Sequence, residues 1–174
     1  MSRDAIGTVE INAVSDLTAQ QLKELEDWFR EDFPPNRYQW DRPSWYLIVS
    51  NHSGSVGRVG ILAREILVGG VPLRVGGING VATRPAWRRQ GIASFAMRSA
   101  AKFMAERLSL EYALLLCNPS VSPLYAGLGW KPVAGPTWFA QPSGPAIYNR
   151  MTMVLEMGKS PFPEGPIDMC GLPW

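Results

Sequence analysis

The fold is decided by one stretch near the middle of the chain, which reads Gly80-Val81-Ala82-Thr83-Arg84-Pro85-Ala86-Trp87-Arg88-Arg89-Gln90-Gly91-Ile92-Ala93-Ser94. It begins as a strand, continues as a basic turn, and ends as the first turn of a helix with apolar residues at helical spacing. The start of a helix leaves amide N–H groups unpaired and carries a partial positive charge, so it binds anions. Gly91 and the small Ala93 let a phosphate approach the backbone closely. This stretch therefore predicts a strand–turn–helix unit with an anion site at its turn.

The segments on both sides of this unit predict a mixed α/β domain. Residues 56–68 and 71–83 read as a long hairpin whose turn is Gly69-Gly70, because this glycine pair supplies the positive φ angles of a two-residue turn. The helix after Gly91 extends to Leu108, and the apolar run 112–117 predicts a buried parallel strand. The other predicted elements are strands over 8–14, 45–50 and 149–157, a strand that starts within 130–134, and helices over 17–33 and 119–128.

Length and composition indicate one globular domain. The chain has 174 residues, of which 46% are hydrophobic and 18% charged, and this is the size of a single domain with a real core. We therefore expect one domain over residues 1–174. Residues 158–174 contain four prolines, so we expect an irregular C-terminal tail. Its apolar residues end in Trp174, which favours docking on the domain.

Charge and cysteine content exclude several classes of protein. The net charge of +2 is too small for nucleic-acid binding, whereas the local group Arg84, Arg88, Arg89 and Arg98 suits a small anionic ligand. The two cysteines lie far apart and have no zinc-site spacing, so we expect no metal. Neither a signal peptide nor an apolar run of about 20 residues is apparent in the sequence. We expect a cytoplasmic protein that binds neither nucleic acid nor membrane.

Two motifs resemble those of a known family. The pattern Val81-x-Thr83-x-Pro85-x-x-Arg88-Arg89-Gln90-Gly91-Ile92-Ala93 resembles motif A of the GNAT (GCN5-related N-acetyltransferase) superfamily, whose signature is Gln/Arg-x-x-Gly-x-Gly/Ala. A second match follows in the family's order and consists of Asn118, Val121, Leu124, Tyr125, Gly129 and Trp130. The resemblance implies the GNAT fold, an α/β single domain with a mixed central β-sheet flanked by helices.

The resemblance also implies acetyl-CoA as the cofactor. In that family the backbone amides of the motif A turn bind the pyrophosphate of acyl-coenzyme A, and the preceding strand pairs with the pantetheine arm. Carried over to this sequence, the cofactor-binding residues are Val81, Ala82, Thr83, Arg88, Arg89, Gln90, Gly91, Ile92, Ala93, Ser94, Asn118 and Tyr125.

Tyr125 is the expected general acid. When an amine attacks a thioester, the leaving thiolate must gain a proton, and a tyrosine hydroxyl with a pKa near ~10 is a suitable donor within hydrogen-bond reach. The family assigns this role to the matching tyrosine, and a core aromatic is the alternative. Cys117 ends a buried strand and is expected in the core, not as an acyl-carrying nucleophile.

The general base is not defined by the residues. Many family members carry a Glu on the strand before motif A, but this strand has Asn79 there, which can orient water or substrate and cannot accept a proton at neutral pH. His52, the single histidine, lies in a predicted turn and is expected at the surface. The carboxylate of the C-terminal Trp174 is another candidate, and water without a protein base is the alternative.

The tail is similar to the C-terminus of aminoglycoside 2′-N-acetyltransferases, which also close with a cysteine-containing segment and a final Trp at the acceptor site. This similarity implies an acidic acceptor pocket, because carboxylates suit a polycationic amino sugar. The expected substrate-binding residues are Glu31, Asp32, Asp41, Asp168 and Trp174, and Glu164 is a further acid nearby in sequence. A set of solvated surface acids is the alternative.

Three functions stay open at this point. The first is acetyl transfer from acetyl-CoA to a primary amine of a small molecule, such as an aminoglycoside, by direct attack in a ternary complex. The second uses a peptide or protein amine or a longer acyl chain, because acceptor loops vary on a shared fold. The third is a non-catalytic acyl-CoA-binding module, which Tyr125 argues against and the missing strand carboxylate favours. A homodimer is compatible with each, and the tail at a dimer interface is the rival to its docking over the acceptor.

Overall fold

A computed structural model of the chain describes residues 7–174, so the first six residues of the expected domain lie outside it. Within this range ten strands form one mixed sheet, flanked by α-helices. The strands are β1 (Thr8–Ala13), β2 (Trp45–Asn51), β3 (Gly54–Val68), β4 (Val71–Thr83), β5 (Tyr112–Cys117), β6 (Lys131–Pro132), β7 (Thr137–Phe139), β8 (Ala146–Tyr148), β9 (Met151–Glu156) and β10 (Ile167–Asp168). The helices are α1 (Ala19–Asp32), α2 (Ile92–Arg107) and α3 (Ser122–Ala126).

The sheet is built around the long β3–β4 hairpin. On the β4 side the order continues to β5, β9 and β6, with β5 parallel to β4 and the other neighbours antiparallel. On its other side β3 pairs first with β2, which pairs with β1, and then with β10 at its C-terminal end. The β7–β8 hairpin follows beyond β10.

The two faces of the sheet are covered by different parts of the chain. The helix α2 buries Ile92, Ala96 and Met104 on one face, together with Leu115 of β5. Leu114, the neighbour of Leu115 in the same strand, points to the opposite face and belongs to the cluster that the C-terminal tail covers. Each large apolar side chain buried in this way stabilises the fold by about 1.5–3 kcal/mol.

The helix α1 begins and ends where its sequence requires. The Thr18 side chain accepts a hydrogen bond from the Gln21 amide at 3.2 Å, and the Gln21 side chain accepts from the Thr18 amide at 2.9 Å. This reciprocal cap satisfies two unpaired N–H groups. The helix buries Leu25 and Trp28 and stops before the Pro34-Pro35 pair.

The strands β4 and β5 part towards their C-terminal ends. They pair only from Gly76 to Ile78 on β4 and from Ala113 to Leu115 on β5. Just beyond, β4 bulges, because Arg58 faces Ala82 while Gly60 faces Asn79, so that one residue of β3 opposes two of β4. Gly80 lies in this bulge with φ +56°, a conformation that favours glycine. The bulge and the end of pairing open the sheet between the two strands.

The C-terminal tail differs from the irregular segment expected. Residues Ile167–Asp168 form β10, which inserts between β3 and β7. The β7–β8 hairpin is also absent from the expected elements. These strands have two or three residues each, and prolines and glycines surround them, so no periodic pattern marks them in the sequence. Tertiary pairing with the end of β3 produces the two-residue strand.

The end of the tail is anchored in the core. Trp174 is 2% exposed, and its indole N–H donates to the Leu114 carbonyl at 3.2 Å. Its ring lies against Gly77, where a Cβ would come within 2.5 Å of the indole. Arg64 holds the same segment by donating to the Met169 carbonyl at 3.1 Å and the Leu172 carbonyl at 2.7 Å. The expectation that the tail docks on the domain agrees with these contacts.

Candidate active site

The gap between β4 and β5 contains a cavity of about 660 Å³, which we call the large chamber. Its lining comes from both strand ends, from the loop after α1, from the segment around α3, and from residues at the end of β8 and just after it. These residues are Phe33, Asn36, Arg37, Tyr38, Trp40, Ile78, Gly80, Val81, Leu115, Leu116, Cys117, Asn118, Val121, Tyr125, Tyr148, Asn149 and Arg150. Its volume lies within the ~300–1,000 Å³ typical of ligand sites.

A smaller cavity of about 210 Å³ adjoins the large chamber, and we call it the aromatic chamber. The two share Phe33, Asn36, Tyr38, Trp40, Ile78, Gly80 and Leu116. The aromatic chamber adds Phe29, Pro34, Pro35, Asn79 and Trp174. Three residues named from the sequence as catalytic, Tyr125, Asn79 and Trp174, therefore line two neighbouring cavities with shared walls.

The start of α2 has the geometry of an anion site. Gly91 caps the helix with φ +83°, and the Phe95 amide donates to its carbonyl at 2.9 Å. Helix geometry leaves the amides of Ile92, Ala93 and Ser94 without intrahelical partners, and the first turn has no acidic residue. Apart from Gly91 itself and its two chain neighbours, no atom of the described residues lies within 4 Å of the position of a Gly91 Cβ. The helix start is therefore open to an anion.

The motif A arginines tie this turn to α1. Arg88 donates to the Thr83 carbonyl and to the Asp32 carboxylate, both at 3.0 Å. Arg84 pairs with Glu31 at 3.1 Å. Glu31 and Asp32, expected to bind the acceptor, are thus ion-paired with the basic turn, and their substrate role stays a prediction.

The other two expected acceptor acids also have partners. Asp41 pairs with Arg64, and the Asp168 carboxylate accepts from the Cys170 amide at 2.8 Å. Among residues 7–174, the side chains that line the two chambers include no carboxylate and no histidine. His52 lies beside the ring of Trp87, outside both chambers. A role of Asp41 or Asp168 in acceptor binding also stays a prediction.

Tyr125 lies in the wall of the large chamber beside Cys117. It is 8% exposed and meets the Trp130 ring edge-to-face at 6.3 Å. Burial, and secondarily the nearby Cys117, raise the pKa of Tyr125 to about 12. Its hydroxyl is therefore protonated across the neutral range. Burial also raises the pKa of the Cys117 thiol, which disfavours the thiolate that a nucleophile needs.

Two arginines in the large chamber were not identified from the sequence. Arg150 donates to the Asn118 side-chain oxygen, and Arg37 donates to the Tyr38 hydroxyl at 2.6 Å. Their positive charges suit a polyphosphate ligand. They lie far apart in the chain and belong to no motif, so only the fold brings them together.

Arg58 is a third residue that sequence reasoning missed. It is 1% exposed and donates to the Leu25 carbonyl of α1 and, at 3.1 Å, to the Gly80 carbonyl of the bulge. Its guanidinium lies 5.1 Å from the Phe29 ring centroid and 5.5 Å from that of Tyr46. Burial lowers the pKa of Arg58 to about 10, so it stays charged at neutral pH. Arg58 therefore fixes the bulge to α1.

Two further features of the described residues concern membrane-spanning helices and metal-binding clusters. Between residues 7 and 174, no helix has the length and apolar character that a membrane span requires. The same residues contain no cluster of three or more His, Cys, Asp or Glu side chains that could hold a metal ion.

A match between this sequence and a protein-family model identifies the family of the chain. Residues 11–133 match the acetyltransferase (GNAT) domain family, and the chain belongs to it. A curated relative is the aminoglycoside 2′-N-acetyltransferase of Mycolicibacterium fortuitum, which is 26% identical over 116 residues. This alignment covers 67% of the present chain and 58% of that protein, little more than half of the relative's length.

Solved structures establish the fold. ElaA of Escherichia coli superposes with a TM-score of 0.64 and 15% identity, over 87% of this chain and 99% of its own. YhbS of E. coli, a GNAT family N-acetyltransferase solved with CoA, superposes with a TM-score of 0.60 and 14% identity. This superposition covers 98% of this chain and 93% of YhbS. A GNAT family acetyltransferase of Brucella melitensis solved with acetyl-CoA superposes with a TM-score of 0.58 and 17% identity. This superposition covers 92% of this chain and 94% of that protein. The GNAT fold expected from the two motifs is confirmed.

Proposed function

We propose that the chain transfers an acetyl group from acetyl-CoA to a primary amine of a small molecule by direct attack in a ternary complex. The observation that carries the proposal is the large chamber, which opens where β4 and β5 part and which Tyr125 lines. Two fold relatives were solved with CoA or acetyl-CoA, which supports the same cofactor for this chain.

Charge and unpaired backbone amides support a binding site for the cofactor at the start of α2. Its pyrophosphate lies at the open start of α2, where the amides of residues 92–94 donate and where Gly91 leaves room. Its pantetheine arm follows β4 from Val81 to Thr83, past the point where pairing with β5 ends. The family-derived set around the turn, Arg88 to Ser94, and Asn118 beside Arg150 complete this site.

Tyr125 acts on the sulfur of the cofactor. The amine nitrogen bonds to the acetyl carbon, the carbon–sulfur bond breaks, and the sulfur becomes negatively charged. Because a thiol has a reference pKa of ~8.5, a hydroxyl with a pKa of about 12 stabilises the thiolate chiefly by donating a hydrogen bond. The proton that the amine loses then completes the thiol. Proton donation or hydrogen bonding by such a group is worth about 10²–10⁴-fold in rate.

The acceptor enters from the side of Asn79 and Trp174. Both line the aromatic chamber, which meets the large chamber at Ile78 and Gly80. An aminoglycoside is the second candidate acceptor, and it is favoured by the relative from M. fortuitum. The ion pairs of Glu31, Asp32 and Asp41 reduce the support for it.

The experiment that tests the proposal is the release of CoA thiol from acetyl-CoA across a panel of amines. Turnover with small primary amines supports the proposal, and turnover with peptides alone contradicts the small-molecule acceptor. Saturable acetyl-CoA binding without turnover on any amine would leave only a binding module. The Tyr125→Phe variant is the control, because contaminating acetyltransferase activity would not respond to it.

A further inference from the structure

We propose that the acceptor is a small amine with a single positive charge and an aromatic body, which the aromatic chamber binds. This inference rests on the proposed acetyl transfer and names its substrate class. It differs from the polycationic acceptor that the tail similarity implies. Four features of the aromatic chamber support it. They are its aromatic walls, the charges around it, its volume and its position beside the large chamber.

The walls of the chamber are aromatic and come from three separate segments. Phe29 and Phe33 stack at 5.0 Å between ring centroids, and Tyr38 meets Trp40 edge-to-face at 6.1 Å. Trp174 closes the chamber from the tail, and Pro34 and Pro35 add further apolar surface. Aromatic rings bind one another in stacked or edge-to-face pairs, so these walls suit an aromatic ligand.

Two side chains of the chamber carry amide groups, those of Asn36 and Asn79. The Asn36 side-chain oxygen is already used, because it accepts from the Tyr38 amide at 2.9 Å and from the Trp40 indole at 3.1 Å. Asn79 donates to the Asp41 carbonyl at 3.3 Å, and its side-chain oxygen has no partner within residues 7–174. That oxygen is available to accept a hydrogen bond from an amine N–H. The Asn79 side chain thus offers a polar contact in a largely aromatic wall.

The charges around the chamber disfavour a polycation. The nearest expected acids are neutralised, since Asp41 pairs with Arg64, Asp32 with Arg88 and Glu31 with Arg84. Of the described side chains that line the chamber, none is a carboxylate. Each further ammonium group moved out of water without a partner costs free energy. A ligand with several ammonium groups therefore binds worse than one with a single amine.

The chamber volume agrees with a single ring. About 210 Å³ lies below the ~300–1,000 Å³ of typical ligand sites and equals roughly seven waters at ~30 Å³ each. This space suits one ring with a short arm. Because the chamber meets the large chamber at Ile78 and Gly80, an amine at the end of that arm reaches the cofactor side.

The aromatic wall also offers a way for the amine to lose its proton without a side-chain base, beside the candidate carboxylate of Trp174. A primary alkyl ammonium has a pKa near ~10.4, and apolar surroundings lower it by disfavouring the charged form. The neutral amine is therefore populated in the chamber without a neighbouring carboxylate side chain. Its nitrogen attacks the acetyl carbon, and its surplus proton ends on the CoA sulfur.

The test compares three acceptors: 2-phenylethylamine, n-butylamine and kanamycin. We expect kcat/KM for 2-phenylethylamine to exceed that for n-butylamine by about tenfold or more, since the two differ by a buried ring. Kanamycin should be the poorest of the three. Trp40→Ala should remove most of the difference between the two monoamines, whereas Trp40→Phe should keep much of it. Trp138→Ala is the matched control, because Trp138 is exposed on β7 and lines neither chamber.

Two readouts separate the possible failures. Because Trp40 also lines the large chamber and packs against the core, the acetyl-CoA dissociation constant and the unfolding midpoint are measured for both Trp40→Ala and Trp40→Phe. A loss of the ring preference in Trp40→Ala that exceeds any change in cofactor affinity, with the variant folded at the assay temperature, excludes a folding defect as the cause. Preference for kanamycin, or equal use of both monoamines, would overturn the aromatic acceptor while acetyl transfer stands. A preference for hexanoyl-CoA over acetyl-CoA that Trp40→Ala abolishes would assign the chamber to an acyl chain instead and also overturn it. No turnover on any amine would refute the proposed function and this inference together.

Discussion

Replacing Gly91 by glutamate separates the role of the α2 start in cofactor binding from its role in folding. Gly91 has φ +83°, and no described atom beyond its two chain neighbours lies within 4 Å of its Cβ position. Gly70, in the turn between β3 and β4, has the same φ and the same open surroundings, and it lies outside both chambers. Gly70→Glu is therefore a control matched in backbone strain, added volume and added charge.

The expected magnitudes follow from this geometry. The left-handed conformation costs a residue with a side chain about 1–2 kcal/mol, so both variants should lose similar stability. Since 1 kcal/mol shifts the melting temperature of a domain of this size by about 2–4 °C, both should melt about 2–8 °C lower. A carboxylate about 5 Å from a pyrophosphate charge, at an effective dielectric constant of about 20, adds about 3 kcal/mol of repulsion before salt screening. Cofactor affinity in Gly91→Glu should therefore fall by about 10–100-fold.

Isothermal titration of each variant with acetyl-CoA measures this difference. We expect Gly70→Glu to bind as the unmodified chain does and Gly91→Glu to bind far more weakly. The gap should narrow as salt is raised, because part of it is charge repulsion. Equal dissociation constants for the two folded variants would refute the assignment of the pyrophosphate to the α2 start.

Further predictions concern Tyr125, Arg58 and Tyr148. Tyr125→Phe should lower kcat by about 10²–10⁴-fold while the acetyl-CoA dissociation constant stays within a fewfold, and near-normal kcat with rate-limiting chemistry would remove Tyr125 from the mechanism. Arg58→Met leaves the Leu25 and Gly80 carbonyls without their donor. It should therefore lower the free energy of unfolding, measured in urea, by about 1–3 kcal/mol for each carbonyl. An unchanged urea midpoint would contradict this. Burial raises the pKa of both Tyr125 and Tyr148 from 10.0 to about 12, so their contribution to stability is complete below pH 10 and is lost as the pH rises towards 12. A pH–rate profile should accordingly show no decline due to Tyr125 below about pH 10, and a decline there that Tyr125→Phe abolishes would contradict the raised pKa.

The strand–turn–helix unit was predictable from the sequence because its features are local. The turn residues, Gly91 and the apolar spacing of α2 all lie within one short segment, and the structure places the helix start within one residue of the expected position. Tyr125 was predictable from a motif. Its position in the wall of the cavity follows because α3 comes directly after β5.

The electrostatics of the acceptor side were not predictable from the sequence. Glu31, Asp32 and Asp41 read as available acids, but each finds an arginine that lies 23 to 56 positions away. Arg58 reads as an ordinary strand residue, and only the approach of α1 to the bulge buries its charge. Such pairings depend on tertiary contacts that no periodicity encodes. They change the expected acceptor from a polycation to a single amine.

We propose that this chain acetylates a primary amine with acetyl-CoA, and an analysis of the reaction products is the direct test. The purified chain is incubated with acetyl-CoA labelled in the acetyl group and with 2-phenylethylamine, and the products are separated and identified by mass spectrometry. We expect labelled N-acetyl product and free CoA in equal amounts, with both reduced strongly in Tyr125→Phe. Saturable binding of acetyl-CoA with no labelled acetyl on this or any other primary amine would contradict the claim.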